Sequence, residues 1–231
     1  MTSFGKLPHR PFRQVPMHLI YRLKDSIPRQ VLRHLHDDYV SHLAGIAHQG
    51  TSAEATRRQV YEVLIEDALH EKSDGPYHLS DPRIAEIVLD SWRWLAANRA
   101  IRVHAVCVMG NHVHLLASSQ NDSVVPAGKI MRNHKSHTAL AANRLLGTGG
   151  EPFWEISYYD RDVRPGTFTT VMWYVLNNPV AAGLVDHWEE WPYTYLNPEY
   201  DMLFRRYSEK ALQDRMRLEL ARPVEDEVIN C

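Results

Sequence analysis

The chain has 231 residues, with 26 Lys and Arg against 28 Asp and Glu, and 44% of it is hydrophobic. That apolar content suffices for one large or two small domains and excludes a disordered chain. A net charge of −2 excludes a uniformly basic coat of the kind that binds nucleic acid without sequence preference.

The charge is uneven. Residues 1–24 carry Lys6, Arg10, Arg13, Arg22 and Lys24, and residues 123–150 carry Lys129, Arg132, Lys135 and Arg144, with no acid in either stretch. A patch that meets phosphates and a pair of ordinary solvated surfaces are both compatible with this. Cys107 and Cys231 build no disulfide framework, and the N-terminus lacks the apolar stretch of a signal peptide. Both point to a reducing, cytoplasmic setting, nucleoid-associated if the partner is DNA. Two uncharged stretches, 103–121 and 166–185, approach the length of a membrane span. The first holds three histidines and two asparagines and the second holds Asn177, Asn178 and Pro179, so both are expected as buried elements of a domain with no membrane contact.

In chain order, Val15 to Leu23 alternates as a first strand. Residues 29–72 read as two amphipathic helices broken near 49–52, the second showing Val60, Val63, Leu64 and Ala68 at helical spacing. Asp81 and Pro82 form a cap and first turn, and Ile84, Ile87, Val88, Trp92 and Leu95 make the buried face of the helix that follows. RVHAVCVM, then Gly110 and Asn111, then HVHLLAS is a β-hairpin pattern. Ala127 to Leu146 is a helix closed by Gly147. Phe153 to Val163 is extended, Thr167 to Asn178 is a helix stopped by Pro179, and a turn-rich aromatic stretch after Trp188 leads to a polar helix near 207–221. Setting aside a helical insertion at about 29–75, the order is that of an α+β, ferredoxin-like antiparallel sheet (split βαβ) with helices packed on it and one helix added. The domain spans 1–195, and 196–231 is a helical tail.

Two features carry chemistry. His112 and His114 alternate on a strand, so both imidazoles lie on one face about 7 Å apart, a rigid start for a divalent metal; paired strand histidines can equally be hydrogen-bonded or exposed. In FTTVMWYVLNNP, the residues Thr170, Tyr174, Asn177 and Asn178 form a polar stripe opposite Phe168, Val171, Met172 and Val175. Tyr174 and Asn178 are thus neighbours, the amide oxygen suiting a hard cation. The alternative is a packed tyrosine with asparagines that cap the helix. Combined, the parts suggest a tyrosine oxygen attacking a phosphodiester in line, with a metal polarising the phosphate, to give a phosphotyrosine and a free 3′-hydroxyl. Arg132, Lys135, Arg161 and Arg164 are candidates to hold backbone phosphates. His104 could reach the metal face or support a ligand, Asn111 serves the turn, and Tyr158 and Tyr159 rank below Tyr174 as nucleophiles.

VHAVCVMGNHVHLL resembles the MPNHVHLL signature of the single-tyrosine HUH transposases (the IS200-like type), and YVLNNPVAAGLV resembles the catalytic-helix signature of their REP-associated branch. FWEISYYDRDVR is similar to that family's last strand, and WPYTY lies where the branch has a Trp-containing motif. The likeness covers about residues 15–195. It implies a ferredoxin-like fold, His112, His114 and Asn178 as ligands of Mg²⁺ or Mn²⁺, Tyr174 as nucleophile, and single-stranded or hairpin DNA, typically repeated palindromes, as substrate for cleavage and strand transfer. Gly110 stands where the family has proline, which would loosen the turn without touching the ligands. A protein that binds palindromes on the same fold without cutting them is the alternative. A histidine-triad nucleotide hydrolase is excluded, because Leu116 occupies the position of its third histidine. Monomer and homodimer are both compatible with the sequence.

Overall fold

The computed structural model describes residues 9–35, 37, 63–71, 75–99 and 101–206. It forms two compact units, divided between Asn197 and Pro198. In the first, strands β1 (Met17–Arg22), β2 (Ile101–Val108), β3 (His112–Ser119), β4 (Tyr159–Asp162) and β5 (Thr194–Leu196) make one antiparallel sheet in the order β4-β1-β3-β2-β5. Strands β4-β1-β3-β2 give the α+β, ferredoxin-like arrangement expected. β5, from the stretch read as turns, adds a fifth strand outside β2. The described part of the second unit is a 3-10 turn at Pro198–Tyr200 and a short helix at Asp201–Phe204, and the polar helix expected near 207–221 lies outside the described residues.

The helices of the first unit are α1 (29–35), α2 (63–70), α3 (Pro82–Asn98), α4 (Ala127–Leu146), α5 (Phe168–Leu176) and α6 (Asn178–Ala181). Asp81 caps α3 by accepting the Arg83 N–H at 2.9 Å, with Pro82 in the first turn. Gly147 ends α4 at φ 70°, the left-handed conformation that glycine adopts without penalty. Pro179 does not stop a helix. It opens α6, where the missing N–H costs nothing, after a break at Asn177. On α2 the buried residues are Ile65, Glu66, Ala68 and Leu69, while Val63 is 48% exposed. The inward face is therefore turned by about one residue from the expected one, because Ile65 and Leu69 find Ile20, Ile27 and α1. The break expected at 49–52 lies outside the described residues.

Period-2 alternation sends the two faces of the sheet to different partners. Met17, Leu19 and Tyr21 of β1 and Val113, Leu115 and Ala117 of β3 join Ile84, Val88, Trp92, Ile130 and Met131 from α3 and α4 in the main core. The alternate residues, His18 and Ile20 on β1 and His112 and His114 on β3, face the other way, toward α2 and α5. Both faces are covered, which is why every residue of β1 and β3 is buried. Val103–Asn121 and Gly166–Val185 are thus the buried hairpin and the α5–α6 region, and no helix among the described residues is long and apolar enough to cross a membrane.

The turn between β2 and β3 is tight rather than loose. Gly110 accepts the Leu79 N–H at 3.1 Å, and a Cβ there would sit 2.8 Å from Ser80 Oγ and 2.9 Å from the Tyr77 ring. Close approach of two side chains, not conformational freedom, favours glycine at this position.

Candidate active site

The antiparallel register of β1 and β3 places Ile20 opposite His114 and His18 opposite Leu116. His18 is therefore the diagonal neighbour of His114 on one face. The His18 and His114 rings stack with centroids 5.4 Å apart, and His18 Nε2 lies 3.2 Å from His114 Nδ1. His112 Nε2 and His114 Nε2 converge to 3.0 Å. Two nitrogens that share one ion at ~2.1 Å and about a right angle sit about 3 Å apart, so the pair suits joint coordination.

Second contacts orient both rings. Asn111 gives its amide N–H to the Leu69 carbonyl at 3.0 Å, which turns its Oδ1 to His112 Nδ1 at 2.7 Å. That oxygen can only accept, so Nδ1 carries the proton and Nε2 presents its lone pair. Asn111 was expected to serve the turn; it also fixes a tautomer and ties β3 to α2. Burial, and then the neighbouring imidazoles, hold His112 and His114 well below the usual histidine pKa, and burial with Arg161 nearby brings His18 down to about 3. Neutral His18 can thus accept from His114 Nδ1–H, leaving His114 Nε2 free to coordinate. An Asn111→Ala variant is expected to lose about 10- to 100-fold in Mn²⁺ affinity by calorimetric titration; an affinity within twofold of the native value would refute this tautomer account.

Helix α5 brings Tyr174 to the same face. Its ring meets those of His18 and His114 edge-on, at 5.6 and 5.8 Å between centroids. The ring is 39% exposed, and its hydroxyl donates to the carboxylate of Glu66. Asn178, one turn on and buried, donates to the Tyr174 carbonyl at 3.2 Å, so its Oδ1 is directed to His70 Nε2, 2.9 Å away. His112, His114, Tyr174 and Asn178 therefore occupy one place, as their spacing and the family resemblance suggested. Glu66 and His70 were missed. They come from α2, within the segment taken for an insertion, and Glu66 Oε1 lies 3.3 Å from His114 Nε2. One ring nitrogen each of His70, His112 and His114 falls within 4.8 Å of the others. The signal was the i, i+4 spacing of Glu66 and His70, which puts both on one side of a helix.

The other candidates are scattered. Arg161 pairs with His18 across β1 and β4 and so shares the histidine face; Arg164 follows on the exposed loop before α5. Arg132 and Lys135 stand on α4, which packs against the opposite side of the sheet. Arg132 is exposed, but Lys135 Nζ donates to the carbonyls of Glu155, Ile156 and Ser157 at 2.8, 3.3 and 3.0 Å and holds that loop. His104 is away from the cluster, bonded to Ser118 Oγ at 3.0 Å. Tyr158 stacks on His9, and Tyr159 packs beside the Ile20–Ile65 cluster.

Residues 77–178 match the family model described as transposase, IS200-like. Over that span the chain is similar to the IS200-like transposases. The matched segment contains His112, His114, Tyr174 and Asn178, whereas Glu66 and His70 precede it. No curated protein matches the chain. Among solved structures, the fold is similar to that of a REP-associated tyrosine transposase bound to a REP hairpin, with a TM-score of 0.51 at 10% identity, over 83% of this chain and 82% of that one. A Deinococcus radiodurans protein described as a transposase aligns over 77% of this chain and 98% of its own at 15% identity, with a TM-score of 0.37.

Proposed function

We propose that this protein is a transposase, a metal-dependent DNA endonuclease and strand transferase of the REP-associated type, with Tyr174 as nucleophile. The observation that carries the reading is the convergence of the Tyr174 ring, His112, His114 and the Asn178 amide oxygen on one sheet face. The donors that would hold a divalent cation, Mg²⁺ or Mn²⁺ by the family resemblance, are His112 Nε2, His114 Nε2 and Asn178 Oδ1. Bound there, the cation would polarise the non-bridging phosphate oxygens.

Tyr174 Oη attacks phosphorus in line; the bond from phosphorus to Oη forms as the bond to the 3′ oxygen breaks. The phenol hydrogen is in contact with Glu66, which receives it, and the departing 3′ oxygen gains a proton to become a free hydroxyl. The phosphodiester energy stays in the phosphotyrosine, so attack by a 3′-hydroxyl reverses the step and rejoins strands without ATP. Single-stranded or hairpin DNA is the substrate class, as the solved relative's bound hairpin suggests, with repeated palindromes as its source. Arg161, on the histidine face, is the phosphate contact nearest the chemistry, with Arg132 and Arg164 as outer contacts and Lys135 acting through the 155–157 loop. The domain is proposed as 1–195, with 196–231 as a tail.

The test is incubation of the full chain with 5′- and 3′-labelled hairpin and single-stranded oligonucleotides drawn from palindromes near its gene, with Mn²⁺ or with chelator, resolved under denaturing conditions. A metal-dependent protein–DNA adduct together with a free 3′ end is expected. Specific binding without an adduct in either metal would instead support a non-cleaving palindrome-binding protein.

A further inference from the structure

Helix α2 brings to this site two groups that lie outside the segment matching the family model. Burial of Ile65, Ala68 and Leu69 against Ile20 and Ile27 pins α2 to the histidine face of the sheet, and the Asn111 bond to the Leu69 carbonyl pins its C-terminal turn. His70, on that last turn, is thereby held with its ring 5.4 Å from the His112 ring, between centroids, and its Nε2 2.9 Å from Asn178 Oδ1. The Asn178 oxygen and the three ring nitrogens thus point into one small volume. We propose that His70 supplies a third imidazole to the metal centre, making it a nitrogen-rich site that favours Mn²⁺ and later first-row ions over Mg²⁺. The proposal rests on the metal-centre part of the functional reading.

The selectivity follows from the donor set. Mg²⁺ prefers an octahedral shell of oxygens and retains its waters, whereas imidazole suits the transition ions. With two histidines and one amide, oxygen donors from phosphate and water could still dominate the shell. A third imidazole shifts the balance to nitrogen and leaves fewer positions for exchangeable ligands. Rigid presentation strengthens the effect, since all three rings sit on packed elements rather than on loops.

The full chain, stripped of metal with chelator, is titrated with Mn²⁺, Co²⁺ and Mg²⁺ by calorimetry, and coordinated nitrogens are counted by pulsed EPR on the Mn²⁺-loaded protein. The native chain should show three imidazole nitrogens and bind Mn²⁺ at least about tenfold more tightly than Mg²⁺. His70→Ala should show two nitrogens and lose about tenfold or more in Mn²⁺ and Co²⁺ affinity. His70→Gln, which keeps a polar side chain of similar reach beside Asn178, should give the same count of two while melting at the native temperature. Two nitrogens in the native chain, or unchanged Mn²⁺ affinity in His70→Ala, would overturn the assignment, and the native count decides even if a variant misfolds. Three nitrogens without DNA adducts would defeat the nuclease reading and leave His70 as a ligand; adducts with two nitrogens would do the reverse.

Discussion

Tyr174→Phe is expected to abolish the covalent protein–DNA adduct while leaving the fold and DNA affinity intact; the expected loss in cleavage rate is on the order of 10⁴-fold or more, the scale on which removal of a nucleophile acts. The substitution deletes a single oxygen from a ring that is 39% exposed and whose edge-on contacts with His18 and His114 are made by its carbons. Little stability depends on that oxygen beyond its bond to Glu66. The measurement pairs a denaturing gel for adducts with an equilibrium binding titration on the same hairpin. Adducts that persist in the variant would remove Tyr174 as nucleophile. Equal loss of binding and cleavage would show instead that the residue holds DNA rather than attacking it.

The largest expected stability change lies on the other face of the sheet. Trp92 Nε1–H donates to Tyr21 Oη at 2.8 Å, Tyr21 O–H donates to His134 Nε2 at 2.7 Å, and His134 Nδ1–H donates to Ser91 Oγ at 2.8 Å. Burial first, and then Lys135 and His137, hold the His134 pKa well below its usual value, so the ring is neutral and each nitrogen has one role in this directional chain. The Trp92 and His134 rings also stack at 4.3 Å. Trp92→Ala opens a cavity among α3, α4 and β1 and strips Tyr21 of its donor. The expected cost is about 3–5 kcal/mol, which lowers Tm by on the order of 10 °C for a chain of this size. Trp92→Phe, which fills much of the space and loses only the N–H, should cost about 1–3 kcal/mol. Calorimetric melts of both variants check the ranking; a loss below about 1 kcal/mol for Trp92→Ala would mean that the core closes over the gap.

Local patterns in the sequence carried much of the site. The hairpin, α3 with its Asp81 cap, α4 with its Gly147 terminus and the alternation of His112 with His114 all follow from contacts within a few residues of each other, where period and capping chemistry act directly. Tyr174 and Asn178 were legible for the same reason, one helical turn apart. β5 was not, because its three residues become a strand only by pairing with β2. The orientation of His104 was not legible either. A bulge between Val103 and Ala105 makes His104 the extra residue of β2 and reverses the alternation beyond it, so no count from one end of the strand predicts its face.

The sequence by itself determined the α+β order of elements, the pairing of two histidines on one strand and the one-turn pairing of a tyrosine with an asparagine, since each depends only on backbone periodicity. Tertiary structure alone decided that these pairs meet, that His18 backs His114, that Asn111 sets the tautomer of His112, and that α2 delivers Glu66 and His70. Those contacts join residues far apart in the chain, and they form because burying Ile65 and Leu69 against Ile20 and Ile27 fixes where α2 lies, carrying its polar residues onto the histidine face.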